Sequence, residues 1–313
     1  MAPKIATVTF NPAIDQTAAI PNFRAGAVNR VAWEQSDPGG KGVNVASFLR
    51  DFGFPVTVSG FLGKENAALF QTFFDRKTII NQFILIPGQT RINVKIIDDV
   101  QSQVTDINFP GQSPSRENIA ALYQAIDQLA TDHDWFVLSG SLPAEVPVSI
   151  YADLIKQLKA QGKTVVIDAS GESFRQAIRS APDAIKPNID ELQELLGRSL
   201  NGVNEIVQSA RDLLAQGIRT VVVSMGAKGA VFVEAEQAVW ASPSPVEVVS
   251  TVGAGDAMVS GFVTGKLRGL PLTACAQLAT AFSIGALSQV GPRLPPPETV
   301  EAFAAQVNVE ILS

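Results

Sequence analysis

The chain has 313 residues, 46% of them hydrophobic and 17% charged, which is enough apolar material for a large ordered core. Its 24 Lys and Arg against 30 Asp and Glu leave a net charge of -6, so a broad basic surface for nucleic acid is excluded and an anionic ligand must be held by a few placed cations. Cys275 is the only cysteine and His133 the only histidine, which excludes an intramolecular disulfide, a zinc site built on several cysteines, and multi-histidine metal chemistry.

The opening MAPKIATVTF lacks the long apolar stretch of a signal peptide, and no run approaches the roughly 18 apolar residues of a membrane span. A cytoplasmic location without membrane contact is expected. IATVTF predicts a first strand, and residues 12–36 follow as a Pro-, Asn- and Gly-rich segment with short alternating runs. A glycine cluster, GGKGVNVA, then opens a helix that continues as SFLRDFG, before the strand VTVSGF near 56.

Residues 83–109 read FILIPGQTRINVKIIDDVQSQVTDINF, two or three period-two strands with no helix between them. Together with 12–36 they predict a small sheet forming a lid over the mouth of a larger one. Downstream, amphipathic stretches from Asn118, Ser149 and Val203 alternate with the strand-like runs WFVLSG near 135, TVVIDAS near 164, TVVVSMG near 220 and AVFVEA near 230. The alternation predicts an α/β fold in which a mostly parallel sheet carries helices on both faces, as one domain over 1–313 with the lid as an appendage. His133, just before WFVLSG, reads as a structural residue.

The strongest chemical feature is Ser250-Thr-Val-Gly-Ala-Gly-Asp-Ala-Met-Val-Ser-Gly-Phe262. A glycine turn at a helix start aims backbone N–H groups and the helix dipole at one point, which suits a phosphate or a phosphoryl group in transfer. Asp256 at that turn would repel an anion unless it has its own task, such as accepting a proton from an attacking hydroxyl; the alternative is a plain helix cap. The Walker pattern GxxxxGK[ST] is absent, and no GxGxxG follows IATVTF, which disfavours a dinucleotide-dependent oxidoreductase.

GGKGVNVA, Lys186-Pro187-Asn188-Ile-Asp-Glu191 and TVGAGDAMVSGF, in that order and spacing, resemble the ribokinase-like (PfkB-type) carbohydrate kinases, and the match covers nearly the whole chain. The resemblance implies ATP and Mg2+ as cofactors, a sugar phosphate (a ketohexose phosphate) as substrate, and a homodimer through the lid. It makes Asp256 the base and Gly253, Ala254 and Gly255 the anion hole. Asp15, Gly40, Lys41 and Asn44 would line the sugar site, with Ser139 touching substrate or merely ending a strand. Arg91, in a lid strand, offers a bidentate grip on the sugar's phosphate, or is an edge-strand charge.

On the nucleotide side the resemblance implies Asn188, Ser224, Gly226, Gly229 and Thr251, with the helix around Ala279 to Gly291 against the adenine. Glu191 and Asp168 would serve the magnesium and its waters, although Asn188 and Glu191 also fit a capping box. A catalytically silent sugar-phosphate sensor is disfavoured by the presence of Asp256, the glycine turn and Glu191. Asp256 is expected to be ionised at neutral pH.

Overall fold

The computed structural model describes residues 3–244, 246 and 248–312. Among these, the strands are β1 Ile5–Thr9, β2 Ala13–Ala19, β3 Trp33–Gly39, β4 Val56–Gly63, β5 Ile80–Ile86, β6 Arg91–Asp98, β7 Gln103–Ile107, β8 Trp135–Ser139, β9 Thr164–Asp168, β10 Ala184–Ile185, β11 Thr220–Ser224, β12 Ala230–Val233, β13 Ala238–Ser242 and β14 Asn308–Leu312. The helices are α1 Lys41–Asp51, α2 Ala67–Lys77, α3 Arg116–Leu129, α4 Ile150–Ala160, α5 Gly171–Ile178, α6 Ile189–Leu196, α7 Val203–Leu214, α8 Ala254–Leu267, α9 Leu272–Leu287 and α10 Pro297–Ala304.

Ten strands form one sheet in the order β14-β13-β12-β11-β10-β9-β8-β1-β4-β5. It is parallel from β11 to β5, with β12, β13 and β14 added antiparallel. Both faces are covered, which is why its strands read as unbroken apolar runs. In β8, Phe136 and Leu138 join the cluster packed by α3, α4, α5 and α7, while Val137 faces the opposite cluster of α1, α8 and α9. Small residues let α8 and α9 lie close, since a Cβ on Gly261 would stand 2.7 Å from Ala279 Cα.

A second sheet has the order β3-β2-β6-β7, with β2 and β6 parallel and both outer pairs antiparallel. This differs from expectation in one respect. Residues 83–86 belong to β5, which pairs with β4 as the edge of the large sheet, so the second segment of the small sheet begins only at Arg91. Alternation alone cannot say which sheet a strand joins. The helix expected over Ala279 to Gly291 starts seven residues earlier and ends at Leu287. His133 is 5% exposed and bonded through Nε2 to Thr57 Oγ1 at 2.8 Å, a structural role.

The chain runs from β1 to β4 on one side and later returns to β8 on the other, so the sheet's order reverses at β1. Ligands in open α/β sheets collect outside the carboxyl ends of strands at such a point.

Candidate active site

The carboxyl ends of β1 and β8 leave almost no room above them, and α1 begins there because Gly42 has no side chain. A Cβ on Gly42 would lie 2.3 Å from Thr9 Oγ1 and 3.2 Å from Ser139 Oγ. The glycines of GGKG thus bring Lys41 and Asn44 over the strand ends. Ser139 lies fully buried beneath Gly42 with its hydroxyl unpartnered, and like Asn44 and Asp256 it lines neither cavity.

Gly253 precedes α8 with φ 75°, a left-handed conformation costly for any residue with a Cβ, and no side chain caps this helix. Asp256 is therefore not the helix cap. It is 6% exposed and its Oδ2 accepts from Asn44 Nδ2 at 2.7 Å. Burial pushes its pKa from 3.8 up to about 7, the nearby Asp168 adds to that, and Lys41 and the Asn44 amide act against it. The expectation of a fully ionised carboxylate at neutral pH is thereby corrected for the free protein. Desolvation depends on how completely α1 and α9 cover α8, which local sequence does not state.

Asp168, at the end of β9, is 1% exposed and holds two ammonium groups on Oδ1, Lys41 Nζ at 3.0 Å and Lys186 Nζ at 3.4 Å. Burial would raise its pKa, but the two lysines outweigh it and hold the carboxyl below the usual range. Among the described residues no three His, Cys, Asp or Glu gather to hold a metal. Asp168 is thus a lysine-pairing residue first, and only its buried Oδ2 is left without a hydrogen-bond partner. Asn188 and Glu191 form the capping box that their spacing allowed, with Glu191 N donating to Asn188 Oδ1 and Asn188 N to Glu191 Oε2, both at 2.8 Å.

Two cavities meet at the glycine turn. The first, about 490 Å³, is lined by Asp15, Asp37, Lys41, Asn93 and Lys95 from the small sheet and α1, and by Thr251 and Gly253 from the turn. The second, about 680 Å³ and mostly apolar, takes in Ser224, Gly226 and Gly229, then Thr251, Ala254 and Gly255, and Thr280 and Ser283 of α9. Both fall in the range of small-molecule sites. Residues 251–255 form the wall between them.

Asp15 hangs from β2 into the first cavity, and its Oδ1 accepts from Asn93 Nδ2 at 3.1 Å. Burial raises its pKa, against the opposing pull of Asn93 and Arg91. Gly40 immediately precedes α1 as its N-cap residue. Arg91 does not enter the cavity: Nη1 donates to the Phe109 carbonyl at 2.9 Å, Nη2 to Asn11 at 3.0 Å and Nε to Pro12 at 3.3 Å. Three backbone carbonyls take three of its five N–H groups, so it ties β6 to the segments that enter β2 and leave β7.

Three residues escaped the sequence reading. Lys186 is 6% exposed and its Nζ lies 3.7 Å from where a Gly255 Cβ would stand, so it faces the glycine turn. It lay within the KPNxxE run, but only Asn188 and Glu191 drew attention. Asn93 and Lys95 follow Arg91 at period two on β6, so strand alternation was the signal that could have found them.

Comparison with known proteins places the whole chain in one family. The description "pfkB family carbohydrate kinase" matches residues 5–299. The chain is 48% identical over 313 residues to the 1-phosphofructokinase of Rhodobacter capsulatus, covering 100% of this chain and 99% of that one. It is 37% identical over 310 residues to the 1-phosphofructokinase of Escherichia coli strain K12, covering 99% of each. The crystal structure of Escherichia coli phosphofructokinase-2 in complex with substrates and products superposes with a TM-score of 0.89 at 25% identity, over 96% of this chain and 98% of that one.

Proposed function

This chain belongs to the pfkB family of carbohydrate kinases, and we propose that it transfers the γ-phosphoryl group of ATP to the 6-hydroxyl of D-fructose 1-phosphate, giving D-fructose 1,6-bisphosphate. The observation that carries this reading is the turn from Thr251 to Gly255, which separates two cavities while Asp256 stands behind it. The sugar phosphate occupies the cavity of Asp15, Lys41, Asn93 and Lys95. ATP occupies the apolar cavity against α9, with Ser224, Gly226, Gly229 and Thr251 beside its phosphates.

Asp256 takes the proton of the 6-hydroxyl as that oxygen attacks the γ-phosphorus, and the bond to the bridging oxygen of ADP breaks. A base with pKa near the working pH suits such a transfer and typically contributes about 10²- to 10⁴-fold. The larger share comes from positioning and from the Gly253 to Gly255 turn, with Lys186 beside it, facing the charge on the phosphoryl oxygens.

Asp168 and Glu191 would hold magnesium or its waters, and the metal would supply charge neutralisation on the nucleotide phosphates. The residues fit that demand: Asp168 Oδ2 is an acceptor without a partner, and Glu191 commits only Oε2 to its cap, leaving Oε1 for a water. The cavity holds Lys41 and Lys95 beside Asp15, Asp37 and Asp106, with Lys41 paired to Asp168 and Lys95 to Asp106, so the preference for a phosphorylated sugar rests on the relatives and not on the cavity's charge. No helix among the described residues is long and apolar enough to cross a membrane. We assign a cytoplasmic location, and a homodimer formed through the small sheet, whose Trp33, Val104 and Ile107 are 44%, 56% and 44% exposed.

Coupled ADP release with Mg-ATP and, in parallel, fructose 1-phosphate, fructose 6-phosphate, tagatose 6-phosphate and free fructose tests the reading. A clear preference for fructose 1-phosphate is expected. Preference for another phosphorylated ketose replaces the substrate and keeps the chemistry, whereas turnover of none of them points to a sugar-phosphate sensor.

A further inference from the structure

The small sheet carries a second carboxylate into the sugar cavity. Asp37 on β3 stands directly opposite Asp15 in the β2–β3 register. Like charges opposed across a strand pair repel, and burial sharpens the repulsion. Asp37 is 9% exposed, and its compensating charge comes from outside the small sheet.

Arg293, in the segment after α9, donates Nη2 to Asp37 Oδ1 at 2.5 Å and Nη1 to Oδ2 at 3.2 Å. Gln35 Nε2 donates to the same Oδ2 at 2.6 Å, and Arg293 Nη1 also reaches the Val290 carbonyl at 2.7 Å, so both partners are oriented. Gly291 makes room for the fork, because a Cβ there would stand 2.7 Å from both Arg293 Nη1 and Asp37 Oδ2.

The same segment reaches the reacting groups. Pro292 packs on Gly253, its Cβ 3.3 Å from where a Gly253 Cβ would be, and Gly291 and Pro292 line the sugar cavity. Leu287, the last residue of α9, lines the nucleotide cavity. Residues 288–293 therefore join the nucleotide-side helix, the glycine turn and the small sheet.

We propose that Arg293, acting through Asp37, is a positioning residue that holds β3 against the Gly253 turn and keeps Asp15 in register with it. Without the fork, β3 carries a stranded carboxylate at the cavity wall and moves away from the turn. The sugar then meets a wider site, while the nucleotide cavity keeps its walls. The kinetic consequence rests on the kinase reading above; the contact and its effect on β3 do not.

The test uses Arg293→Ala, Arg293→Lys, Asp37→Asn and the double variant Arg293→Ala/Asp37→Asn in the full chain. In substrate-free protein, amides of residues 33–37 and 39 are expected to exchange at least about tenfold faster in Arg293→Ala than in wild type. KM for the sugar phosphate that wild type turns over is expected to rise at least about fivefold, with KM for ATP within about twofold and a partial return in Arg293→Lys. Asp37→Asn added to Arg293→Ala should not multiply its effect, because both changes remove one interaction.

Unchanged exchange over 33–37 and 39, equal shifts in both KM values, or multiplying effects in the double variant would each overturn the proposal. If Arg293→Ala does not fold, Arg293→Lys and Asp37→Asn carry the same measurements. If wild type turns over no sugar phosphate, the kinase reading fails, and the exchange experiment alone still decides whether Arg293 holds β3.

Discussion

Asn44 Nδ2 donates to Asp256 Oδ2 at 2.7 Å, joining the N-terminal turns of α1 and α8 across 212 residues of chain. The bond fixes the direction of the carboxylate and favours its charged form, while burial favours the neutral form and outweighs it. Asp256 is thereby balanced between a proton donor and a proton acceptor near neutral pH.

A pH profile reads this balance. Only the ionised carboxylate can accept the sugar's proton, so with a pKa of about 7 in the free protein kcat/KM should fall about tenfold per pH unit below pH 7. Asn44→Ala removes a contact that lowers the pKa, and should move the acid limb to higher pH. A profile flat down to about pH 5 would contradict the role given to Asp256.

Stability should respond in the opposite sense to activity. The folded pKa of Asp256, about 7, exceeds the reference 3.8, so the native state holds the proton more tightly than the unfolded chain. The sign is then destabilising as pH rises from about 4 through 7, and reaches up to about 4 kcal/mol above that window. Asp256→Asn keeps an acceptor for Asn44 and cannot ionise. It is expected to melt higher than wild type at about pH 8, with a smaller advantage at about pH 5, while its kcat falls about 10²- to 10⁴-fold. Melting curves at the two pH values check the first part, and coupled ADP release the second.

Lys186→Met removes the buried cation facing Gly255. Because its loss removes charge opposite the transferred group, kcat should drop at least about 10²-fold. Lys41 still pairs with Asp168 at 3.0 Å, so the stability cost should stay below the roughly 3–5 kcal/mol typical when a buried pair loses its one partner. Denaturant melts beside steady-state kinetics separate the two effects.

Glu191 can be tested for its two roles with one pair of variants. Glu191→Ala breaks the capping box with Asn188 and should cost about 1 kcal/mol. Glu191→Gln keeps the box, since glutamine serves at that position, and should restore the stability. If Glu191 also holds a magnesium water, Glu191→Gln will still require more Mg2+ for half-maximal rate; an unchanged Mg2+ dependence would leave it a cap alone.

The sequence by itself determined the α/β order, the strands with both faces buried, and the positions of the glycine turns. Those features are local: an apolar run of strand length must be covered on both sides, and a turn such as Gly253 with φ 75° accepts few other residues. Tertiary structure alone decided the partners and the solvent. It put β5 in the large sheet, turned Arg91 to three carbonyls, buried Ser139 under Gly42, gave Asp168 two lysines and raised the pKa of Asp256. Each of those outcomes depends on groups tens to hundreds of residues away, because desolvation and charge act through space and not along the chain.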